Sequence, residues 1–381
     1  MNNENLQPLY VSSPMLPNID DVTSYIQEIW DSKYVTNNGP MNQKFEKKLE
    51  EVLNVPTALT FNNGTIALLV ALKMFNLKPG SEIITTPMTF AATAHAISWN
   101  GFVPVFADVL EKDLTIDPKA VEKAITKNTS AILATHVYGS ICDYEALEDI
   151  AQKYGLKLIF DAAHAFAAEI NGRSVASLGD ASIFSFHATK LFNTLEGGAL
   201  TSPNLKDKEI VQLLRNFGIK NEEEVTHVGI NGKINEVQAA IGLLNLEIFE
   251  EERAKRKELR EKYSSFLNDL PGITMQPNPK EFKNSEQYFP VVIDKEKFGR
   301  SRDEIYEALK KENIFARKYF HPICTDFEPY KGYDIVSTCA TPYVEKVKHE
   351  VLCLPFHSGV KNSHINIIKS IFIGCKSTIM N

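Results

Sequence analysis

The residues best suited to chemistry in this chain are a carboxylate and an amine, each set just past an apolar run. Asp161 ends the run Leu156-Lys157-Leu158-Ile159-Phe160 and precedes Ala162-Ala163-His164. A charge in that setting needs a partner; a protonated pyridine nitrogen is one, and a helix cap is the plain alternative. Lys190 follows Ser182-Ile183-Phe184-Ser185-Phe186 and precedes Glu196-Gly197-Gly198-Ala199, the glycines of a tight turn into another strand. Most lysines are solvated surface groups, but one set between two apolar strands can hold an aldehyde. One chemistry that would use both groups is that of pyridoxal 5′-phosphate (PLP). It needs an amine for the aldehyde, a carboxylate beside the pyridine nitrogen, an anion cradle for the phosphate and a flat group against the ring.

Candidates exist for the remaining two requirements. Asn63-Gly64-Thr65 precedes the helical apolar spacing of Ile66, Leu69 and Val70, so the Gly64 and Thr65 amides fall at a helix start, where the macrodipole favours a phosphate. An ordinary helix cap gives the same pattern. Phe90 lies past Pro87 at a strand-to-helix turn, where it covers a cofactor ring or packs into the core.

The elements that must position these residues read as α/β layering. Short apolar runs at Ile83-Ile84, Val103 to Phe106, Ala131 to Ala134, Leu156 to Phe160 and Ser182 to Phe186 predict buried strands. Tyr144, Leu147, Ile150, Ala151 and Tyr154 share one helical face, stopped by Gly155. Asp161 and the stretch from His187 to Lys190 then fall beyond carboxyl ends of strands, where such sheets bind ligands. Val237, Ile241, Leu244 and Ile248 predict one long helix leaving the first domain, with the alternating charges from Glu250 to Arg260 as a solvated face. The pattern changes after Pro271-Gly272, giving a PLP-binding large domain at 1–250 and a smaller α+β domain at 251–381.

Composition narrows the function further. The chain has 381 residues, 44% of them hydrophobic, and a formal net charge of −7, which leaves no basic surplus for a nucleic-acid partner. Its five cysteines (Cys142, Cys324, Cys339, Cys353 and Cys375) are scattered without C-x-x-C spacing, against a disulfide framework or a zinc site, and no metal is expected. The start lacks a basic segment and an apolar run, and no stretch reaches the length of a membrane span. The expectation is a cytoplasmic protein with no membrane partner.

The order NGTIAL, PMTFAATA, FDAAHAF, FSFHATKLFNTLEGGAL and GINGKINEVQAAIG resembles the DegT/StrS-type nucleotide-sugar aminotransferases of the fold-type I PLP enzymes. The resemblance covers nearly the whole chain, from YVTNNGPMNQKFE to VLCLPFH. It implies that Gly64 and Thr65 bind the phosphate through backbone amides, Phe90 stacks on the ring, Asp161 pairs with the pyridine nitrogen and His164 lies near the ring hydroxyl. Ser185 adds a phosphate contact, and Lys190 bonds the cofactor aldehyde. Asn231 matches a family asparagine that reaches the phosphate of the neighbouring subunit, which implies a homodimer with shared active sites. One departure stands out. The family often reads Gly-Tyr-Asn-Tyr-Arg-Met where this chain has Gly229-Ile230-Asn231-Gly232-Lys233-Ile234, so substrate contacts made there by tyrosine and arginine are in doubt.

The form FSFHATK…NT-EGG is similar to the C4-aminating branch. That implies transamination of dTDP-4-keto-6-deoxy-D-glucose to dTDP-4-amino-4,6-dideoxy-D-glucose with L-glutamate as donor. Amination at C3 of a 3-keto isomer is the nearest alternative. From other classes, a PLP-dependent sugar dehydratase is disfavoured because that branch has histidine in place of Lys190. A non-catalytic homologue would not need Lys190, Asp161 and the phosphate residues together.

Overall fold

Seven apolar runs order the fold by pairing into one twisted sheet. In this computed structural model, which describes residues 7–331 and 340–374, they are β1 (Thr57–Phe61), β2 (Glu82–Thr85), β3 (Val103–Phe106), β4 (Thr129–Thr135), β5 (Lys157–Asp161), β6 (Ala181–Ser185) and β7 (Gly198–Ser202). Their order is β1-β7-β6-β5-β4-β2-β3. All neighbours are parallel except β7, which runs antiparallel to both β1 and β6. Buried on both faces, these strands read as continuous apolar runs. Every expected strand is present, and the run opening at Thr57 adds one that the sequence reading did not single out. Cys339 and Cys375 lie outside the described residues.

Helices cover both faces. Asn63 caps α1 (Gly64–Lys73) by accepting the Ile66 N–H, and α2 (Ala91–Trp99) begins at Phe90. The expected helix from Tyr144 is α3 (Tyr144–Tyr154), capped by Asp143 and ended by Gly155 in the left-handed region at φ 67°, where a glycine avoids the Cβ penalty.

The predicted long helix is α4 (Glu236–Leu267), 32 residues opened by an Asn235–Gln238 capping box. Its first half gives Ala239, Ala240 and Phe249 to the main core. Its second half gives Leu259, Tyr263, Phe266 and Leu267 to a separate core with Phe289, Val291, Leu352, Leu354 and Phe372. That second core surrounds a three-stranded antiparallel sheet of Ile273–Met275, Phe289–Ile293 and Val351–Leu354.

The charged stretch of α4 corrects the expectation of a solvated face. Glu252, Arg253, Arg256 and Arg260 are buried. Arg256 Nε pairs with Glu252 at 2.9 Å and Arg260 Nε with Glu286 at 2.7 Å. Alternating signs at helical spacing look the same facing water or facing a second layer, and here residues 284–288 and 357–358 form that layer. Among the described residues, no helix is long and apolar enough to cross a membrane.

Candidate active site

The parallel strands β2, β4, β5 and β6 all point their carboxyl ends to one edge of the sheet, and the N-terminus of α1 arrives there from β1. A cavity of about 280 Å³ opens at that edge. Its walls include Gly64, Thr65, Phe90, Asp161, His164, Ser185 and Lys190, together with Tyr288, Tyr319 and Phe320 from the C-terminal half.

Asp161 is 5% exposed. Its Oδ1 accepts the Ala163 N–H at 3.1 Å and its Oδ2 accepts the Thr93 hydroxyl at 2.7 Å. Behind Thr93 stands a chain of hydroxyls. Thr135 donates to Thr89 at 3.1 Å, and Thr89 and Thr93 lie 2.8 Å apart. Since Thr93 gives its proton to the carboxylate, it accepts from Thr89, and the chain points toward Asp161. Burial pushes the Asp161 pKa up, while Thr93, Ala163 and the charge of Lys190 hold it down. Each carboxylate oxygen retains capacity for a further donor.

The Lys190 side chain enters from the loop after β6. The Lys190 backbone N–H donates to the His187 carbonyl at 2.8 Å, and the next two residues, Leu191 and Phe192, are buried. Phe192 stacks on Phe166 with centroids 4.3 Å apart. The two motifs FDAAHAF and HATKLF are thus stapled together in the core, which fixes Asp161 relative to Lys190. The Lys190 residue is partly exposed, yet its amine lies 5.7 Å from the Tyr288 ring centroid. Desolvation lowers its pKa to about 8 against the opposing pull of Asp161. An amine so lowered is unprotonated far more often near neutral pH than an exposed lysine, which suits it to attack a carbonyl and to move protons.

His164 accepts the Tyr138 N–H at Nδ1, 3.1 Å away. Burial, reinforced by the Lys190 charge, holds its pKa well below the usual value, so the neutral ring carries its proton on Nε2 as a donor. Its ring is stacked against Phe320 at 5.8 Å and meets Tyr288 edge-on at 5.1 Å.

At the opposite end, Gly64 and Thr65 are the first two residues of α1. Their N–H groups have no partner among the described residues. A Cβ on Gly64 would lie 2.9 Å from Ser185 Cβ and 3.3 Å from its Oγ, so only glycine lets the helix end approach the β6 terminus this closely. Two free amides, a hydroxyl and a helix N-terminus make an anion cradle of phosphate size. Phe90 lines the same cavity with 60% of its surface exposed, an apolar face open to a flat occupant. Amine, carboxylate with spare lone pairs, cradle and apolar wall therefore fit PLP.

Asn231 is the sequence-predicted residue that the structure leaves outside this cavity. It is exposed, and its Oδ1 accepts a hydrogen bond from Lys233 Nζ at 2.8 Å. Gly232 explains the missing tyrosine of this loop, since a Cβ there would lie 2.8 Å from Ile66 Cγ2 and 3.2 Å from the Phe61 ring. Sequence reasoning missed Thr89, Thr93, Tyr288, Tyr319 and Phe320. Thr89 and Thr93 do flank Phe90 at one helical turn, a spacing that could have flagged a shared face.

This is the constellation of an aminotransferase of fold-type I, and known sequences agree. The sequence model of the DegT/DnrJ/EryC1/StrS aminotransferase family matches residues 18–372, and the chain belongs to that family, so it is a PLP-dependent enzyme. A dTDP-4-amino-4,6-dideoxy-D-glucose transaminase of Shigella dysenteriae is 44% identical over 365 residues, covering 96% of this chain and 98% of that protein. An Escherichia coli transaminase of the same name is 41% identical, with the same two coverages. Among solved structures, DesI in the presence of its TDP-sugar product superposes with a TM-score of 0.91 at 34% identity, covering 98% of this chain and 95% of that one.

Proposed function

We propose that this chain transfers the amino group of L-glutamate to C4 of dTDP-4-keto-6-deoxy-D-glucose, giving dTDP-4-amino-4,6-dideoxy-D-glucose. The observation that carries the chemistry is one cavity bordered by Lys190, Asp161 and the Gly64–Thr65–Ser185 cradle. The choice of sugar rests on the identity of 44% to a transaminase so named over nearly the full length of both chains.

When bound, PLP supplies an aldehyde that takes up the amino group and a ring that accepts electrons from the donor's α-carbon. The Gly64 and Thr65 amides and the Ser185 hydroxyl would hold its phosphate, and Phe90 would cover its ring. Asp161, whose anion Thr93 and Ala163 support against burial, would hold a proton on the pyridine nitrogen. The Nε2–H of His164 would be the donor to the ring hydroxyl oxygen. Lys190 would hold the aldehyde end at rest; as a free amine it would carry the proton from the donor's α-carbon to the cofactor's C4′, and in the second half from C4′ to the sugar carbon.

The active unit in this reading is a cytoplasmic homodimer. Trp30, Tyr34, Val35, Phe217, Val225 and Val228 are large exposed apolar side chains, Val228 at 85%, and an apolar surface of this kind suits a second copy of the chain. Asn231 lies in the same loop as Phe217 and Val228, and in such a dimer it would reach the phosphate of the neighbouring subunit. The domains 1–250 and 251–381 divide inside the continuous helix α4.

The test is to supply glutamate with dTDP-4-keto-6-deoxyglucose, alone or with a 3,4-ketoisomerase, and to locate the new nitrogen by NMR. Nitrogen at C4 without the isomerase is expected. Product formed only with the isomerase, and aminated at C3, would overturn the C4 assignment.

A further inference from the structure

The peptide that carries Lys190 is gripped from the other half of the chain. Gln287 is 5% exposed and stands just before the strand Phe289–Ile293. Its Oε1 accepts the Leu191 N–H at 2.7 Å, and its Nε2 donates to the Thr189 carbonyl at 3.3 Å. One side-chain amide thus bonds the residue before Lys190 and the residue after it. No other side-chain group among the described residues bonds both.

Its neighbours hold it still. Glu286 pairs with Arg260 of α4 at 2.7 Å, and the Ser285 hydroxyl donates to the His164 carbonyl at 2.7 Å. Tyr288 contributes the ring facing the Lys190 amine. Residues 285–288 therefore touch the supports of both Lys190 and His164, while Gln287 is not itself part of the cavity wall.

We propose that Gln287 is a positioning residue for Lys190, its amide straddling the lysine's peptide and fixing where the amine stands over the reacting carbon. The inference rests on the proposed role of Lys190. A primary amide is required because the grip needs an acceptor and a donor on one planar group. Without it the buried Leu191 N–H loses its partner, and the loop can shift to regain one. A misplacement of about 1 Å at a reacting group can cost ~100-fold in rate. Substrate affinity, set by the cavity wall, should be nearly unaffected.

The experiment uses PLP-loaded enzyme and follows deuterium exchange at the α-carbon of glutamate in D2O, which needs no sugar. Gln287→Met removes both bonds; Gln287→Glu keeps the acceptor for Leu191 and loses the donor to Thr189. Borohydride reduction and peptide mapping accompany each measurement. Expected are trapping at Lys190 in all forms, exchange ~10- to ~100-fold slower in Gln287→Met and KM for glutamate nearly unchanged. Gln287→Glu should be intermediate, because one of the two bonds remains. Wild-type exchange in Gln287→Met would overturn the proposal. So would slowing with a raised KM and no partial rescue in Gln287→Glu, since that marks a general structural loss. Should Gln287→Met fail to fold, a Gln287→Glu enzyme with the wild-type rate overturns it equally. Trapping of the wild type at another lysine would instead sink the role of Lys190 on which this rests.

Discussion

Replacing Thr93 by Val should weaken catalysis from a distance, because Thr93 acts through Asp161. The Thr93 hydroxyl is one of two hydrogen-bond donors on a carboxylate that burial pushes toward protonation, and it sits 2.7 Å from Oδ2. Hydrogen bonds to charged groups contribute ~1.5–3 kcal/mol net. At about 1.4 kcal/mol per factor of ten, the ionised carboxylate loses ~10- to ~150-fold of its advantage. The sign follows from which form suffers. Removing a donor to the anion raises the Asp161 pKa, and only the anion can hold the proton on the pyridine nitrogen, so the acid limb of the rate profile must move to higher pH. The assay is α-proton exchange of glutamate by the PLP-loaded enzyme between pH 5 and 9. Slowing near neutral pH, partly recovered as pH rises, is expected. A Thr93→Val enzyme with wild-type rate and an unmoved acid limb would refute the reasoning.

Gly64→Ala places a Cβ 2.9 Å from Ser185 Cβ and 3.2 Å from its Cα. The helix end must retreat, so PLP affinity measured by absorbance titration should fall at least ~10-fold, in line with the loss of 1.4 kcal/mol or more of anion binding. Capture of PLP by apo-enzyme should rise with pH through a midpoint near 8, where Lys190 loses its proton; in Asp161→Asn the midpoint should lie lower, because the charge that favours the ammonium is gone. Mixing Lys190→Ala chains with Asn231→Ala chains should restore activity, since a mixed dimer has one site with both lesions and one with neither. Recovery of about a quarter of wild-type turnover is expected from random assortment, and none despite proven subunit exchange would count against a shared site.

The parts of this molecule most legible in its sequence were those defined by local pattern. The strand ending at Asp161 and the helix from Tyr144 to Tyr154 carry their own signals, an apolar run in one and a cap with a glycine stop in the other. Contacts between distant segments were less legible. Asp161 stands out as a lone charge, but nothing in its surroundings indicates that Thr93 will donate to it, because the two meet only once α2 packs over the ends of the strands. Arg256 and Arg260 were misread for the same reason. Their partners Glu252 and Glu286 make them buried, and Glu286 belongs to a later segment whose return to α4 no periodicity announces. Tyr288 precedes the strand Phe289–Ile293, and its position by the Lys190 amine depends on that strand's place in the second core.

The most direct measurement of the central claim is chemical. The enzyme is loaded with PLP, reduced with borohydride, digested and mapped by mass spectrometry. Lys190, with its pKa lowered to about 8 by burial in the cavity, should carry the label, and prior bleaching with glutamate should abolish it. Stable label on any other lysine, or label at Lys190 that glutamate leaves untouched, would contradict the account.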